Sequence, residues 1–191
     1  SDSETTSAEG INVIGEGQIV GFRYMVLLPG LPGYDHNLTI GLDWKDFKED
    51  MEGEIIPIEY TPVTFGYAST LMDKTGSTRF SADLNMMFRN VLVNQMDEFQ
   101  TKRYGATGNY IYFTGGIERR QSLPKDFSLF AKVDFQLADQ PLVSNEQFSA
   151  GGVNSVRGYK ESEVTGDNAL HSTVELFGPS FLKKFPLIPY A

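Results

Sequence analysis

Two histidines, His36 and His171, and 25 Asp and Glu residues are the side chains of this chain that could ligate a metal or carry a proton. Neither histidine stands at metal-ligand spacing from a set of acids. There is no cysteine, which removes thiolate nucleophiles, Cys-based zinc sites and disulfides together. No G-x-S-x-G turn raises a serine nucleophile, no glycine run has phosphate-loop form, and the acidic stretch 46–54 lacks the EF-hand order. No enzyme, metal or cofactor is expected. What remains is recognition chemistry, and its sharpest signature is Gly151-Gly152-Val153-Asn154-Ser155-Val156-Arg157-Gly158-Tyr159. Arg157 offers five donors in a planar fork that suits a carboxylate. Gly158 frees the turn from a Cβ, and Tyr159 can anchor it by packing. A desolvated pair between Arg157 and an acid would pin a loop; Asp167, Glu161 and Glu175 are local acids that could serve. Val156, Arg157, Gly158 and Tyr159 are therefore the candidate loop site.

The elements that must position this loop read as strands. Phe22, Tyr24, Val26 and Leu28 share one face, with Gly21 and Arg23 opposite. After the turn at Pro29–Gly33, Leu38, Ile40, Leu42 and Trp44 share a face against Thr39, Asp43 and Lys45. In 78–88, Phe80, Ala82, Leu84, Met86 and Phe88 oppose Arg79, Ser81, Asp83 and Asn85. In 127–137, Phe127, Leu129, Ala131, Val133, Phe135 and Leu137 oppose Lys132, Asp134 and Gln136. Leu170, Val174 and Leu176 oppose His171, Thr173 and Glu175. This is the period of two that marks strands with unlike faces. The stretch 55–72 is a less regular strand, weakened by Pro57 and Pro62, and 109–120 is a Tyr-rich strand interrupted by Gly115-Gly116. Residues 1–17, 46–54, 89–107 and 139–168 read as loops; a helical pattern within 89–99 is weak.

The result is about seven strands whose connections alternate short and long. Turns near 29–33, 73–76 and 122–126 belong on one rim, and the long connections on the other. Transmembrane barrels keep this rhythm, with short periplasmic turns and long external loops. Several strands exceed the usual strand length of about 5–6 residues. Tyr24, Trp44, Tyr67, Phe88, Tyr110, Tyr112 and Phe127 lie near strand ends, as an interfacial girdle would. The chain has 191 residues, 14 Phe, 9 Tyr, 1 Trp and 19 Gly. Its net charge of −9 argues against a nucleic-acid partner. No apolar run of about 18 residues is present, which barrel strands do not need. The expected fold is all-β: an antiparallel up-and-down transmembrane β-barrel, present in part, as one domain over 1–191. Asp134, Gln136, His171 and Glu175 fall on the face expected to line the lumen.

The motif also has context. Phe135-Gln136-Leu137-Ala138-Asp139-Gln140-Pro141-Leu142 and Glu146-Gln147-Phe148 precede it; Gly166-Asp167-Asn168-Ala169 and Ser172-Thr173-Val174-Glu175-Leu176 follow. This ordered set resembles the outer-membrane transporters of two-partner secretion, the TpsB family, and more broadly the superfamily that contains the BamA assembly factors. The resemblance is sharp over roughly 109–177. It implies an external loop that folds back into the barrel with the Arg-Gly-aromatic turn at its tip. It implies a partner acid for Arg157 on a strand just beyond, a sixteen-strand barrel, and soluble POTRA domains ahead of it. Neither POTRA domains nor closing strands are seen in this sequence, so it reads as an internal part of such a barrel, able to self-associate through open sheet edges. The implied location is the bacterial outer membrane, and the implied partners are outer-membrane lipid and a secreted polypeptide, exported unfolded. The alternatives are a BamA-like assembly factor and a soluble all-β binding module. Two POTRA domains with a plug helix would favour secretion and five would favour assembly; solubility as a monomer without detergent would favour the third.

Overall fold

The computed structural model of the chain describes residues 3–6, 12–51, 54–89, 96–152, 155–156 and 158–179. Alternating polarity becomes a meander. The strands are β1 (Ser3–Thr6), β2 (Asn12–Leu27), β3 (Tyr34–Met51), β4 (Glu54–Tyr60), β5 (Val63–Asp73), β6 (Gly76–Met87), β7 (Tyr110–Ser122), β8 (Ser128–Ala138), β9 (Phe148–Ala150), β10 (Val164–Gly166) and β11 (Ala169–Phe177). Among the described residues one α-helix, α1 (Met96–Lys102), lies between β6 and β7. Nine strands form one sheet in the order β1-β2-β3-β5-β6-β7-β8-β11, with β4 also against β3, while β9 and β10 pair separately inside the long loop. All pairings are antiparallel. Among the described residues the sheet is open, since β11 pairs only with β8. The fold is a partial antiparallel barrel wall.

Register turns sequence alternation into two unlike faces. One cross-strand row runs Tyr24, Ile40, Phe65, Leu84, Phe113, Leu137. Two residues along, another runs Val26, Leu38, Tyr67, Ala82, Gly115, Phe135, Leu170. Both rows are apolar apart from the Tyr hydroxyls. The row between them, on the opposite face, runs Met25, Thr39, Gly66, Asp83, Thr114, Gln136, Ala169. A slip of one residue at any strand would break every row it crosses, so the pattern fixes the register.

The chain's own core lies off the apolar face. Ile58, Tyr60, Met87, Phe99, Ala106, Tyr110, Tyr112, Leu142 and Val143 form it, at the rim where the long connections meet. By contrast Tyr24, Leu137 and Leu170 on the apolar face are 60%, 58% and 78% exposed. So large an uncovered apolar surface marks an interaction face, and lipid is the solvent that suits it.

In an antiparallel meander successive connections alternate rims. The short turns after β2, β5 and β7 therefore share one rim, and the connections through β4, α1 and the 139–168 loop share the other. Several sequence expectations need correction. Residues 1–17 are not all loop, because β1 and β2 form a hairpin. The acidic stretch 46–54 is mostly strand: β3 continues to Met51, and β4 pairs back along it. The buried residues of this hairpin, Ile58 and Tyr60 of β4 with Phe47 packed against them, belong to the rim core and not to the apolar rows of the sheet, so the periodicity of the other strands does not run through it. Pro57 sits in β4, which pairs on one side only, where a missing N–H is tolerated. Pro62 marks the break between β4 and β5, bridged by Asp43 N donating to the Pro62 carbonyl at 3.2 Å. Gly115-Gly116 does not interrupt β7. A Cβ at Gly115 would lie 2.5 Å from Phe135 Cζ, and one at Gly116 2.9 Å from Asp134 Oδ1, so both glycines make room for cross-strand neighbours.

Candidate functional site: a loop pinned to the polar face

The 139–168 loop leaves β8 and folds over the polar face. Its descending leg inserts Leu142 and Val143 into the rim core, both fully buried. A single 3-10 turn, Ser144–Glu146, then aims Glu146 at the wall. Glu146 is 5% exposed. Lys45 Nζ donates to its Oε1 at 2.5 Å and the Tyr60 hydroxyl donates to the same oxygen at 2.6 Å. The Tyr112 hydroxyl donates to Oε2 at 2.7 Å. These donors come from β3, β4 and β7. A carboxylate this buried is tolerable because three donors, one of them cationic, replace its water.

Gln136, on β8, ties both legs of the loop. Its Nε2 donates to the Glu146 carbonyl at 3.1 Å and to the Asp167 carbonyl at 3.2 Å. Asp167, on the returning leg, receives both Nη atoms of Arg103, at 2.5 and 2.8 Å. Leu142 N and Gln147 Nε2 also donate to it, at 3.0 and 3.1 Å. Arg103 Nη1 reaches the Leu142 carbonyl as well, at 2.6 Å. Partial burial pushes the Asp167 carboxyl up, but these donors outweigh it and hold its pKa below the ordinary carboxylate value.

The loop then forms the β9–β10 hairpin, which carries the motif turn beyond it. The described bonds of that tip are local: Ser155 Oγ accepts from Gly151 N and donates to its carbonyl, and Tyr159 N donates to the Val156 carbonyl. Gly158 takes φ +93 and Tyr159 is 60% exposed. Val156 is half-buried. Arg157 lies outside the described residues.

The polar face beneath the loop is charged. Asp134 lies 2.9 Å from Lys132 Nζ and 3.6 Å from His171 Nδ1. The His171 ring stands 6.4 Å from that of Phe148 in β9. Glu175 is on the same face, opposite Phe130. Arg23 and Asp43 make a bidentate pair with both bonds at 2.6 Å. Arg23, Asp43, Lys45, Asp83, Tyr112 and Gln136 line a cleft of about 490 Å³ that Glu146 and Gln147 cover. Among the described residues no group of three His, Asp or Glu side chains could hold a metal.

Sequence reading named Asp134, Gln136, His171 and Glu175, and the structure puts them on one face, with Gln136 alone touching both loop legs. It named Asp167 as a possible partner for Arg157, whereas Asp167 is engaged by Arg103. It placed Tyr110 and Tyr112 in an outer girdle, but both are buried on the polar side, in the rim core. It missed Glu146, Lys45, Tyr60 and Arg103. Strand parity placed Lys45 on the polar face, but nothing local shows that a loop acid meets it.

The fold and the family agree. A family model for the haemolysin secretion/activation protein ShlB/FhaC/HecB matches residues 6–190. CdiB from Escherichia coli superposes with a TM-score of 0.77 at 16% identity, over 95% of this chain and 34% of that one. CdiB from Acinetobacter baumannii gives 0.70 at 15% identity, over 95% and 33%. The heme/hemopexin transporter protein HuxB of Haemophilus influenzae is 32% identical over 102 residues, 49% of this chain and 17% of that protein. The chain thus spans about a third of the solved structures' length and less of HuxB. With its match running over nearly the whole sequence, the chain belongs to the ShlB/FhaC/HecB (TpsB) family of outer-membrane secretion transporters, which are not enzymes.

Proposed function

We propose that this chain is the wall and folded-in loop of a pore that carries an unfolded partner polypeptide across the outer membrane to the cell surface. The carrying observation is the division of the sheet into a bare apolar face and a polar face over which the 139–168 loop is pinned. Lipid takes the first face. The second offers Asp134, Gln136, His171 and Glu175, mixed in charge and hydrogen-bonding capacity, as the lining of a conduit for a polar backbone. The Arg157 turn is the part of the loop that engages beyond this wall, and Gly158 and Tyr159 shape it. The family match supports secretion over barrel assembly, and the exposed apolar rows argue against a water-soluble binding module. Taken alone, residues 1–191 are expected to self-associate through open sheet edges.

Export by the full-length protein tests the reading. Arg157→Ala should reduce secretion of the partner while the barrel stays inserted and heat-modifiable, because the strand ladder does not depend on that side chain. Normal export by well-folded Arg157→Ala protein would remove the motif from the mechanism. Normal secretion but failed insertion of other barrels would favour the assembly role.

A further inference from the structure

We propose that Glu146 is the residue that holds the motif-bearing loop on the wall. Four observations converge on it. It is almost wholly buried. Its carboxylate takes donors from three strands, Lys45 of β3, Tyr60 of β4 and Tyr112 of β7. Its backbone carbonyl takes a fourth from Gln136 of β8. Leu142 and Val143, just before it, fill the rim core, so apolar packing seats the leg beside the carboxylate.

The physical consequence is a latch with a steep dependence on one group. Removing the carboxylate leaves an ammonium and two hydroxyls buried with no acceptor, and a buried charge without its partner costs more than the pair contributes. The cheapest relief is for the leg to lift, so that water reaches Lys45, Tyr60 and Tyr112. The loop legs can do this without breaking the sheet, because the strand ladder from β2 to β11 uses backbone bonds only. Glu146 is thus a positioning residue: it sets where the tip can reach without contacting anything in transit. This assignment rests on the proposed pore only for its consequence; the docking itself stands on the geometry.

The test uses the full-length protein in outer-membrane-like vesicles, with spin labels at exposed positions 109, at the start of β7, and 144, on the leg. The wild type should give one narrow distance distribution. Glu146→Ala should lower the docking equilibrium constant by roughly tenfold to a hundredfold, as loss of a charge-assisted bond implies, and broaden the distribution. Lys45→Met combined with Glu146→Gln removes both charges and should recover part of the narrow population. Single-channel conductance should rise with the undocked population. A Glu146→Ala distribution equal to wild type would overturn the assignment. Should Glu146→Ala fail to insert, Tyr60→Phe with Tyr112→Phe removes only two hydroxyls, and an unchanged distribution there would overturn it equally. Undocking with normal export would keep Glu146 as the latch and count against the pore reading instead.

Discussion

Neighbouring residues of the same strands live in opposite solvents. Tyr24, Ile40, Phe65, Leu84, Phe113 and Leu137 make a continuous apolar row, in which Leu84 and Phe113 are half-buried and the other four are exposed. One residue along, Arg23, Gly41, Thr64, Asn85, Tyr112 and Ala138 make a row on the face where the loop lies. A one-sided antiparallel sheet in water buries the apolar row and exposes the polar one. Here the apolar side chains are bare, and Glu146 and Gln136 are among the most buried polar groups. The inversion is what a barrel wall requires. Hydrocarbon solvates the outer row, so no protein layer is needed there. On the inner face Arg23 pairs with Asp43 and Lys132 with Asp134 within the wall. Arg23 lies flat over Gly41, where a Cβ would come within 2.8 Å of its Cζ, and pairs with Asp43. The loop docks on that face through polar groups, with Leu142 and Val143 seated in the rim core.

The largest effect should come from placing a charge on the wrong face. Leu84→Arg puts a guanidinium into the lipid row, at a cost of up to about 2–4 kcal/mol near the bilayer midplane. Insertion, read as heat-modifiable mobility, should fall sharply, whereas Thr114→Arg on the other face should insert normally and alter conductance. Equal damage from both would break the distinction between the faces. A smaller effect is expected at the second loop pin. Arg103→Ala removes two bonds to Asp167 and one to Leu142, at about 1–3 kcal/mol in loop docking, and limited proteolysis within 148–166 should accelerate while the barrel stays folded.

The same pin sharpens the comparison through pH. Asp167 has a folded-state pKa below its unfolded value. Its contribution is therefore complete above about pH 4 and is lost as pH falls through the lowered folded value. Protease sensitivity of the loop should rise over that acid window, and Asp167→Asn should abolish the step. A step appearing on the alkaline side would contradict the assignment. The smallest effect belongs to the tip: Tyr159, being exposed, should cost within about 0.5 kcal/mol of folding stability as Tyr159→Ala. A large loss in thermal unfolding would mean that the tip helps hold the loop.

Period-two alternation made the faces of β2, β3, β6, β8 and β11 legible, because each side chain there answers to one of two solvents. Residues 46–60 were harder to read. The buried residues of this hairpin, Ile58 and Tyr60, answer to the rim core and not to the two faces of the sheet, and Pro57 resembles a strand breaker until its pairing with β3 alone is known. Gly115 looked like an interruption because a glycine signals a break locally, while its reason, the Phe135 ring on the neighbouring strand, lies far along the sequence. The loop pins were least legible. Glu146 meets Lys45 across a sequence separation of 101 residues, and Arg103 meets Asp167 across 64. Charge type alone cannot single out those pairs among 16 basic and 25 acidic residues. Family resemblance rested on residues of both legs, Glu146 and Asp167 among them, but gave a role to the tip alone.

The central claim, that one face of this sheet meets lipid and the other a loop-filled interior, is tested most directly along β8. Single spin labels at each position from 129 to 137 in the full-length protein, in vesicles, would report accessibility to lipid-dissolved oxygen. The account predicts a period of two, with high accessibility at 129, 131, 133, 135 and 137 and low accessibility at 130, 132, 134 and 136. The opposite phase, or equal accessibility at both sets, would contradict it.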